Sequence, residues 1–367
     1  MASRPRRGRI TGYVFKLVRE SIPRSQTQLA SDLGVDRATI QGWESGRRPY
    51  TSVAVGQAIA LRHKLSRLGA AADLLAALDQ AAEADFLLSE VIDTDPVGSD
   101  LAQHPLGWTV LNHGLTEMLT WAVTGQAPQS VARYGRGVSR RGPVPDGPEL
   151  DACERRACFT NLRTLMDRAR RRDGHILLHR QACFLSGFDP TLSAVDWLSS
   201  RRPHDLDYSH GWSLRWADAR SLAASMAKQG DPEPMREFIA RAHPDSTCEM
   251  AGLNYWAYWV GETQHRQRDD MFMIDSTFTW RGARLLRHLV DRFHSSHAFI
   301  DLNVHSLWAL LAARRGIAED HPATTRDSIS RGERLMDEGE ISEQSRRELA
   351  SVLYGLRMEG FTGRAGG

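Results

Sequence analysis

The stretch from residue 37 to residue 48 carries hydrogen-bond donors at a spacing that suits the recognition of DNA bases. At helical periodicity, four side chains share one face that mixes long donors with small residues: Arg37, Ala38, Gln41 and Gly42. Such a face fits the major groove, where arginine pairs with guanine and glutamine with adenine. Arg47 and Arg48 follow at a point where a DNA phosphate would lie. The chemistry indicated is therefore nucleic-acid recognition.

Two short helices joined by a tight turn are predicted to position this face. Ser25 is an N-cap residue, and an inward apolar face follows it at helical spacing: Leu29, Ala30 and Leu33. Gly34 ends the first helix, because glycine enters the left-handed conformation without a Cβ clash. Asp36 then caps the second helix, whose Ile40 and Trp43 turn back onto the first.

At these residues the chain resembles the lambda-repressor-like family of regulators, often called the XRE family. The family pattern opens one helix with a Ser-Gln pair, places Leu-Ala inside it and puts Gly-Val or Gly-Ile at the turn. The next helix carries an isoleucine and an aromatic-Glu pair, and then come a glycine, an arginine and a proline. The corresponding residues are Ser25, Gln26, Leu29, Ala30, Gly34, Val35, Ile40, Trp43, Glu44, Gly46, Arg48 and Pro49.

The resemblance implies a helix-turn-helix that binds double-stranded DNA sequence-specifically. Gln26 would brace the backbone and the start of the second helix, whose exposed face would contact bases. The expected DNA-contacting residues are Gln26, Thr27, Arg37, Ala38, Thr39, Gln41, Gly42, Arg47 and Arg48. Because one recognition helix touches too few bases for useful specificity, we expect a homodimer on a palindromic operator.

The charge of the 367-residue chain is unevenly distributed. Residues 1–67 contain thirteen lysines and arginines against four acidic residues, a net charge of +9. Since the whole chain carries +2, the remainder carries −7. A basic head on a mildly acidic body fits a protein whose head binds nucleic acid.

The basic arm over residues 1–9 admits two interpretations. It has no apolar pattern to bury, which is typical of a solvated, disordered tail. Directly before a DNA-binding domain, an arginine arm also reaches the adjacent minor groove. We therefore include Arg6, Arg7 and Arg9 among the candidate DNA contacts.

Several classes of protein receive no support from the sequence. Four cysteines are too few for a disulfide scaffold in a chain of this length. No apolar run approaches a membrane span, and the N-terminus lacks an apolar signal core. No Walker loop, Gly-x-Ser-x-Gly elbow or His-Glu-x-x-His motif is present. We expect a cytoplasmic protein that is not an enzyme and needs no cofactor.

The chain after the two short helices begins with further helical signals. A helix over residues 53–65 offers four side chains to pack under the pair: Val55, Ala58, Ile59 and Leu65. Over residues 61–86, apolar residues recur at alternating steps of four and three, with Gly69 as a joint. This predicted connecting helix either packs on its own chain or forms a dimerisation seam.

The domain boundaries follow from these patterns. We assign residues 10–67 to the DNA-binding domain, 68–105 to the connecting helix and linker, and 106–367 to a helical domain that senses a ligand or mediates dimerisation. Residues 126–148 are rich in glycine, proline and arginine, and form either a flexible loop or an accessory DNA contact.

The body is predicted to be helical throughout, so the fold class is all-α. Ten candidate helices run over residues 150–172, 175–186, 191–200, 208–229, 232–242, 247–263, 280–293, 298–315, 322–336 and 342–358. Antiparallel helix pairs of this length stack into an α-solenoid. The arrangement resembles that of pheromone-responsive regulators, which join such a head to a tetratricopeptide-like (TPR-like) body.

Aromatic side chains are concentrated in the body over residues 253–260, and two tryptophans share one face of an earlier helix. Core packing is the ordinary role of such side chains. Adjacent aromatics nevertheless wrap around a helix, so some would leave the core face and line a ligand pocket. The candidate ligand-binding residues are Trp212, Trp216, Asn254, Tyr255, Trp256, Tyr258 and Trp259.

Two groups of histidines have the residue types that bind transition metals. The first group lies at steps of four on one predicted helix and comprises His175, His179 and Cys183. The second comprises His294, His297, Asp301 and His305. Neither shows a four-ligand spacing, and the first helix is otherwise apolar, so we expect no metal site.

The function indicated is transcription regulation by a dimer. The head would bind an operator, and the helical domain would sense a peptide or small-molecule effector that favours one dimer geometry. Two other classes remain open. One is a phage-type repressor or antitoxin whose helical domain binds a protein partner, and the other is an enzyme fused to a DNA-binding head.

Overall fold

The computed structural model describes residues 8–135, 147–169, 173–201, 211–242, 246–263 and 265–362. Regular structure in these ranges is entirely helical, which confirms the all-α fold class. The chain divides into two compact units, Met1–Leu185 and Ser186–Gly367. Nowhere in these ranges does a helix combine the length and the apolar character that crossing a bilayer requires.

The described residues form eighteen α-helices. Nine of them lie in or at the end of the first unit: α1 (Arg9–Ser21), α2 (Gln26–Leu33), α3 (Arg37–Glu44), α4 (Val55–Arg67), α5 (Ala72–Asp93), α6 (His113–Thr124), α7 (Gln129–Gly135), α8 (Ala152–Ala169) and α9 (Ile176–Ser186). The second unit contains α10 (Leu192–Ser199), α11 (Leu214–Lys228), α12 (Glu233–Arg241), α13 (Ser246–Trp259), α14 (Ala283–Asp291), α15 (Ile300–Ala313), α16 (Ile317–Asp320), α17 (Pro322–Glu338) and α18 (Glu343–Thr362).

The ten helices predicted for the body are all present, with ends that shift by a few residues. One local prediction was wrong. Helix α7 lies within residues 126–148, which were expected to form a loop or a DNA contact, and residues 136–146 of that stretch lie outside the described ranges. The predicted connecting helix is interrupted at its predicted joint, Gly69, which adopts a φ of 94° between α4 and α5.

Helix α5 is the centre of the first unit. It packs against α1, α6, α7 and α8, and its buried side chains are mostly leucine and alanine. The segment expected to connect two domains is thus a core element that covers α1 from within the same unit. Phe86, which was assigned to the apolar row of this helix, is 52% exposed, whereas the neighbouring Asp85 is buried.

The buried Asp85 carboxylate joins α5 to the first turn of α1. It accepts hydrogen bonds from the backbone N–H groups of Ile10 (2.9 Å) and Thr11 (2.8 Å), and from the Thr11 hydroxyl (2.5 Å). The first N–H groups of an α-helix have no acceptor within the helix, so this side chain caps α1 from 74 residues away. Burial raises the pKa of Asp85 to about 6, although the hydrogen bonds from Thr11 and Ile10 oppose that rise.

Helix α4 packs only in part as predicted: Leu65 is buried, as expected, but two of the other predicted side chains are not. Val55 and Ile59 were expected beneath the two short helices, but they are 77% and 53% exposed. The buried side chains of α4 are Leu61 and Leu65, one and a half turns further on. The contact of α4 with α2 and α5 is therefore made by its C-terminal half.

Helix α15 is the centre of the second unit. It packs against α12, α13, α14 and α18. Asp301, near its start, accepts hydrogen bonds from Arg236 Nε (2.9 Å) and from the backbone N–H of Ser342 (2.8 Å). Burial alone would raise the pKa of Asp301, but these donors hold it below its ordinary value. A central helix with partners from residue 233 to residue 362 differs from a solenoid, in which each helix pair contacts only its neighbours.

Candidate nucleic-acid interface

Local sequence signals set the ends of α2 and α3. The Ser25 hydroxyl accepts a hydrogen bond from the Gln28 N–H, while the Gln28 side chain accepts one from the Ser25 N–H, which completes a capping box. Gly34 ends α2 with a φ of 74°. Asp36 then caps α3 by accepting a hydrogen bond from the Thr39 N–H at 2.5 Å. The predicted pair of short helices is therefore present, with the predicted caps.

Helix α3 lies directly against the backbone of α1. The Trp43 ring meets Phe15 edge-on, with 5.4 Å between ring centroids, and Ile40 is fully buried. A Cβ atom placed on Gly12 of α1 would lie only 2.4 Å from the Trp43 carbonyl oxygen. Glycine at this position permits the close approach that holds α3 in place.

A chain of polar contacts links α1, α2 and α3. The Glu44 carboxylate accepts hydrogen bonds from Arg19 Nε (2.5 Å) and from Gln26 Nε2 (2.7 Å). Gln26 Oε1 in turn accepts a hydrogen bond from Gln41 Nε2 at 3.3 Å. Gln26 therefore braces the middle and the end of α3, not its start as the resemblance implied. The network fixes the orientation of α3 because each member is held by another helix.

The exposed surface beside these helices contains most of the predicted DNA contacts. Exposed side chains are Thr27, Arg37, Ala38, Arg47 and Arg48, while Gln26, Thr39 and Gln41 are half-buried. Gly42 was expected to face bases, but it is buried beneath the side chain of Arg48. The face presented by α3 is therefore narrower than predicted, with Arg37 and Ala38 at its outer edge.

The carboxylates near this surface are engaged by side chains or backbone groups of the same unit. Asp32 forms an ion pair with Arg24 (3.1 Å), and Glu44 belongs to the internal network. Hydrogen bonds from Thr39 lower the pKa of Asp36, with a further contribution from the charge of Arg48. Lys64 Nζ donates to the Leu33 carbonyl at 2.8 Å, at the C-terminal end of α2.

Arg9 does not belong to a basic arm. It is the first residue of α1, and its guanidinium donates to the Glu149 carbonyl (2.7 Å) and to the Glu154 carboxylate (2.5 Å). Its side chain is only 17% exposed and is paired within the first unit, so Arg9 is not part of an exposed arm that could reach a minor groove. Arg6 and Arg7 lie outside the described residues.

Two of the predicted ligand-binding residues of the second unit, Trp216 and Asn254, are buried and hydrogen-bonded within that unit. Trp216 is fully buried, and its indole N–H donates to the Ala242 carbonyl at 2.7 Å. Asn254 is also buried, donating to the Met273 carbonyl (2.9 Å) and accepting from the Trp280 indole (2.7 Å). Both side chains have structural partners instead of facing a cavity.

The other predicted ligand-binding aromatics are partly or wholly occupied by neighbours. Tyr258 is 7% exposed. The guanidinium of Arg220 lies over the rings of Tyr255 (4.2 Å) and Trp256 (5.0 Å), in cation–π contact with both. Trp212 and Trp259 are half-buried. The contacts found are those of core packing, the alternative that the sequence left open.

The two histidine groups do not converge on a metal-binding geometry. Across the part of the chain that the structure describes, no three His, Cys, Asp or Glu side chains are arranged to hold a metal ion. The Asp301 carboxylate accepts a hydrogen bond from Arg236, and His305 Nδ1 lies 3.1 Å from a carboxylate oxygen of Glu348. Burial, together with the charges of Arg292 and His294, lowers the pKa of His297 to about 4.

Two contacts escaped the sequence analysis: the cap that Asp85 gives α1, and the path of Arg48 over α3. A charged residue within the apolar run of α5 was a usable signal for the first, since buried carboxylates have hydrogen-bond donors nearby. Nothing in the sequence indicated the second. Comparison with protein-family models, with curated proteins and with solved structures gave no match.

Proposed function

We propose that this protein binds double-stranded DNA sequence-specifically and regulates transcription. The observation that carries the proposal is the form of α3, a short helix fixed on α1 and α2 that exposes Arg37 and Ala38. An arginine at the first position of such a helix reaches base edges when the helix enters a major groove. The internal network keeps α3 rigid, so little entropy is lost when its side chains meet DNA.

Charge supports the same function. Residues 1–67 carry a net charge of +9, which favours binding to a polyanion such as DNA. Three of the exposed positive charges lie beside or on α3: Arg37, Arg47 and Arg48. Binding to phosphates releases counterions, so affinity will fall steeply as salt rises. A single helix of eight residues reads few base pairs, and we therefore propose that two copies bind a palindromic operator.

Effector sensing by the aromatic residues is not part of the proposal. Trp216 and Asn254 are held by structural hydrogen bonds, and Arg220 covers the rings of Tyr255 and Trp256. A TPR-like repeat is likewise left aside, because α15 packs against helices that are distant in sequence. The role proposed for the second unit is that of a helical partner domain within the regulator.

Selection from a random duplex library with the full chain tests the proposal. We expect one enriched, palindromic motif. Arg37→Ala should lose about 1–3 kcal/mol of discrimination at one base step and leave non-specific binding nearly unchanged. Arg315→Ala removes the same charge from an exposed position in the second unit and is the control. Absence of an enriched motif, or a motif unaffected by both Arg37→Ala and Gln41→Ala, would contradict this assignment.

A further inference from the structure

Arg48 follows an unusual path after the end of α3. The chain turns at Gly46, which has a φ of 68°, and the Arg48 N–H then donates to the Gly42 carbonyl at 3.0 Å. From there the side chain runs back along α3 toward the N-terminal end of that helix. Its Nη1 atom donates to the Thr39 hydroxyl at 2.9 Å. A residue that follows α3 in sequence thereby places its guanidinium beside the first turn of α3.

The absence of a side chain at Gly42 makes this path available. A Cβ atom built on Gly42 would lie 3.1 Å from Cδ, 3.2 Å from Cγ and 3.3 Å from Cβ of Arg48. These separations are shorter than ordinary van der Waals contacts, so the aliphatic stem occupies the space that a larger residue would fill. Gly42 is therefore a seat for Arg48, which explains why it is buried on a face expected to be open.

The guanidinium of Arg48 remains available to a ligand. The side chain is exposed, and the hydrogen bond to Thr39 uses one of its five N–H donors. Its charge also helps to lower the pKa of Asp36, the residue that caps α3, which places the guanidinium near the start of the helix. This is the end of a recognition helix that contacts base edges.

We infer that Arg48 reads a guanine in the DNA, with Thr39 as the residue that positions it and Gly42 as its seat. The inference rests on the proposed function and adds a second base-reading arginine to Arg37. A guanidinium already held in one orientation can donate two hydrogen bonds to O6 and N7 of guanine with little further loss of freedom. The sequence had assigned Arg48 to a phosphate.

Arg47 provides the comparison within the same turn. Its Nε atom donates to the Ser45 hydroxyl at 3.1 Å, at the C-terminal end of α3, and its side chain is also exposed. Arg47 therefore keeps the role of a phosphate contact. The two neighbouring arginines carry the same charge, so they form a matched pair for experiments.

The test is the full chain binding to a random duplex library, followed by affinities for all four bases at each position of the enriched motif. The variants are Arg48→Lys, Thr39→Val and Arg47→Lys, each checked for an unchanged melting temperature. Lysine keeps the charge but lacks the planar pair of donors. We expect Arg48→Lys to reduce the preference for one guanine by about 5- to 150-fold, the equivalent of one lost bidentate contact.

Thr39→Val should weaken the preference for the same guanine while keeping the motif elsewhere, because it removes the hydroxyl that orients Arg48. The same hydroxyl also contacts Asp36, but the Thr39 N–H that Asp36 accepts in capping α3 is retained in the variant. Arg47→Lys should leave every base preference unchanged. If Arg48→Lys retains the base preferences of the unmodified protein, Arg48 contacts a phosphate and the inference is overturned. If the unmodified protein enriches no motif, the proposed function itself fails, and the inference fails with it.

Discussion

Replacing Asp85 by asparagine should remove a pH dependence from the stability of α1. Asparagine has nearly the same shape but keeps only one of the two acceptor oxygens, so it loses the hydrogen bond from either Ile10 or Thr11. It does not titrate, so that loss is the same at every pH. The aspartate in the folded protein has a pKa of about 6, against an ordinary value of 3.8. The comparison of the two proteins therefore isolates the cost of ionising one buried carboxyl group.

The sign and size of the effect follow from that pKa. Between about pH 4 and pH 6 the folded protein still holds the proton on Asp85, while the unfolded chain has lost it. The contribution of Asp85 to the free energy of unfolding therefore decreases as the pH rises through this window, and it is constant above it. Two pKa units correspond to about 3 kcal/mol.

Hydrogen exchange of the full chain, followed peptide by peptide, measures this directly. The free energy of the opening that exposes α1 is obtained for both proteins from pH 4 to pH 7, and the value for Asp85→Asn is subtracted. The difference should fall by about 3 kcal/mol as the pH rises. Asp79→Asn changes a half-exposed carboxylate of the same helix and serves as the control. A difference that stays constant with pH would refute the reasoning.

Three further predictions concern positions with contrasting environments. Gly12→Ala should lower the free energy of unfolding by several kcal/mol in a urea titration, because the new methyl group meets the backbone of α3, whereas Gly56→Ala, with open space around it, should not. Asn254→Ala should cost about 2–4 kcal/mol in the same assay, since it leaves a buried indole N–H and a carbonyl without partners. Arg9→Ala should leave the salt dependence of DNA binding unchanged, whereas Arg47→Ala, which removes the proposed phosphate contact, should reduce the slope by about one.

Local structure was accessible from the sequence because its causes are local. The caps at Ser25 and Asp36, the stop at Gly34 and the ten helices of the body all depend on neighbouring residues and on helical periodicity. The missed helix α7 lies in a segment rich in glycine, proline and arginine, where propensity alone is weak. It forms because α1 and α5 supply a surface on which it packs.

The errors at the candidate site have long-range causes. Arg9 continues a basic run, and only the fold brings it to Glu154, 145 residues away. Helical periodicity placed Val55 and Ile59 on one face of α4. It does not show which half of that face packs against other helices. The aromatic side chains of α13 surround their helix, as predicted. Arg220, which belongs to another helix, lies over the rings of Tyr255 and Trp256, which were predicted to bind a ligand.

The cap that Asp85 gives α1 limits where the chain can be cut into fragments that fold, and which segment evolution can transfer as a unit. A fragment that ends at residue 67, the extent of the familiar motif, would leave the N–H groups of Ile10 and Thr11 without their acceptor. It would also uncover the apolar side of α1 that α5 protects. Recombination that joins helices α1 to α4 to a different domain must therefore include α5 as well. Helices α2 and α3, which we propose read DNA, thus belong to a larger folding unit, and the shortest autonomous piece has to include residue 85.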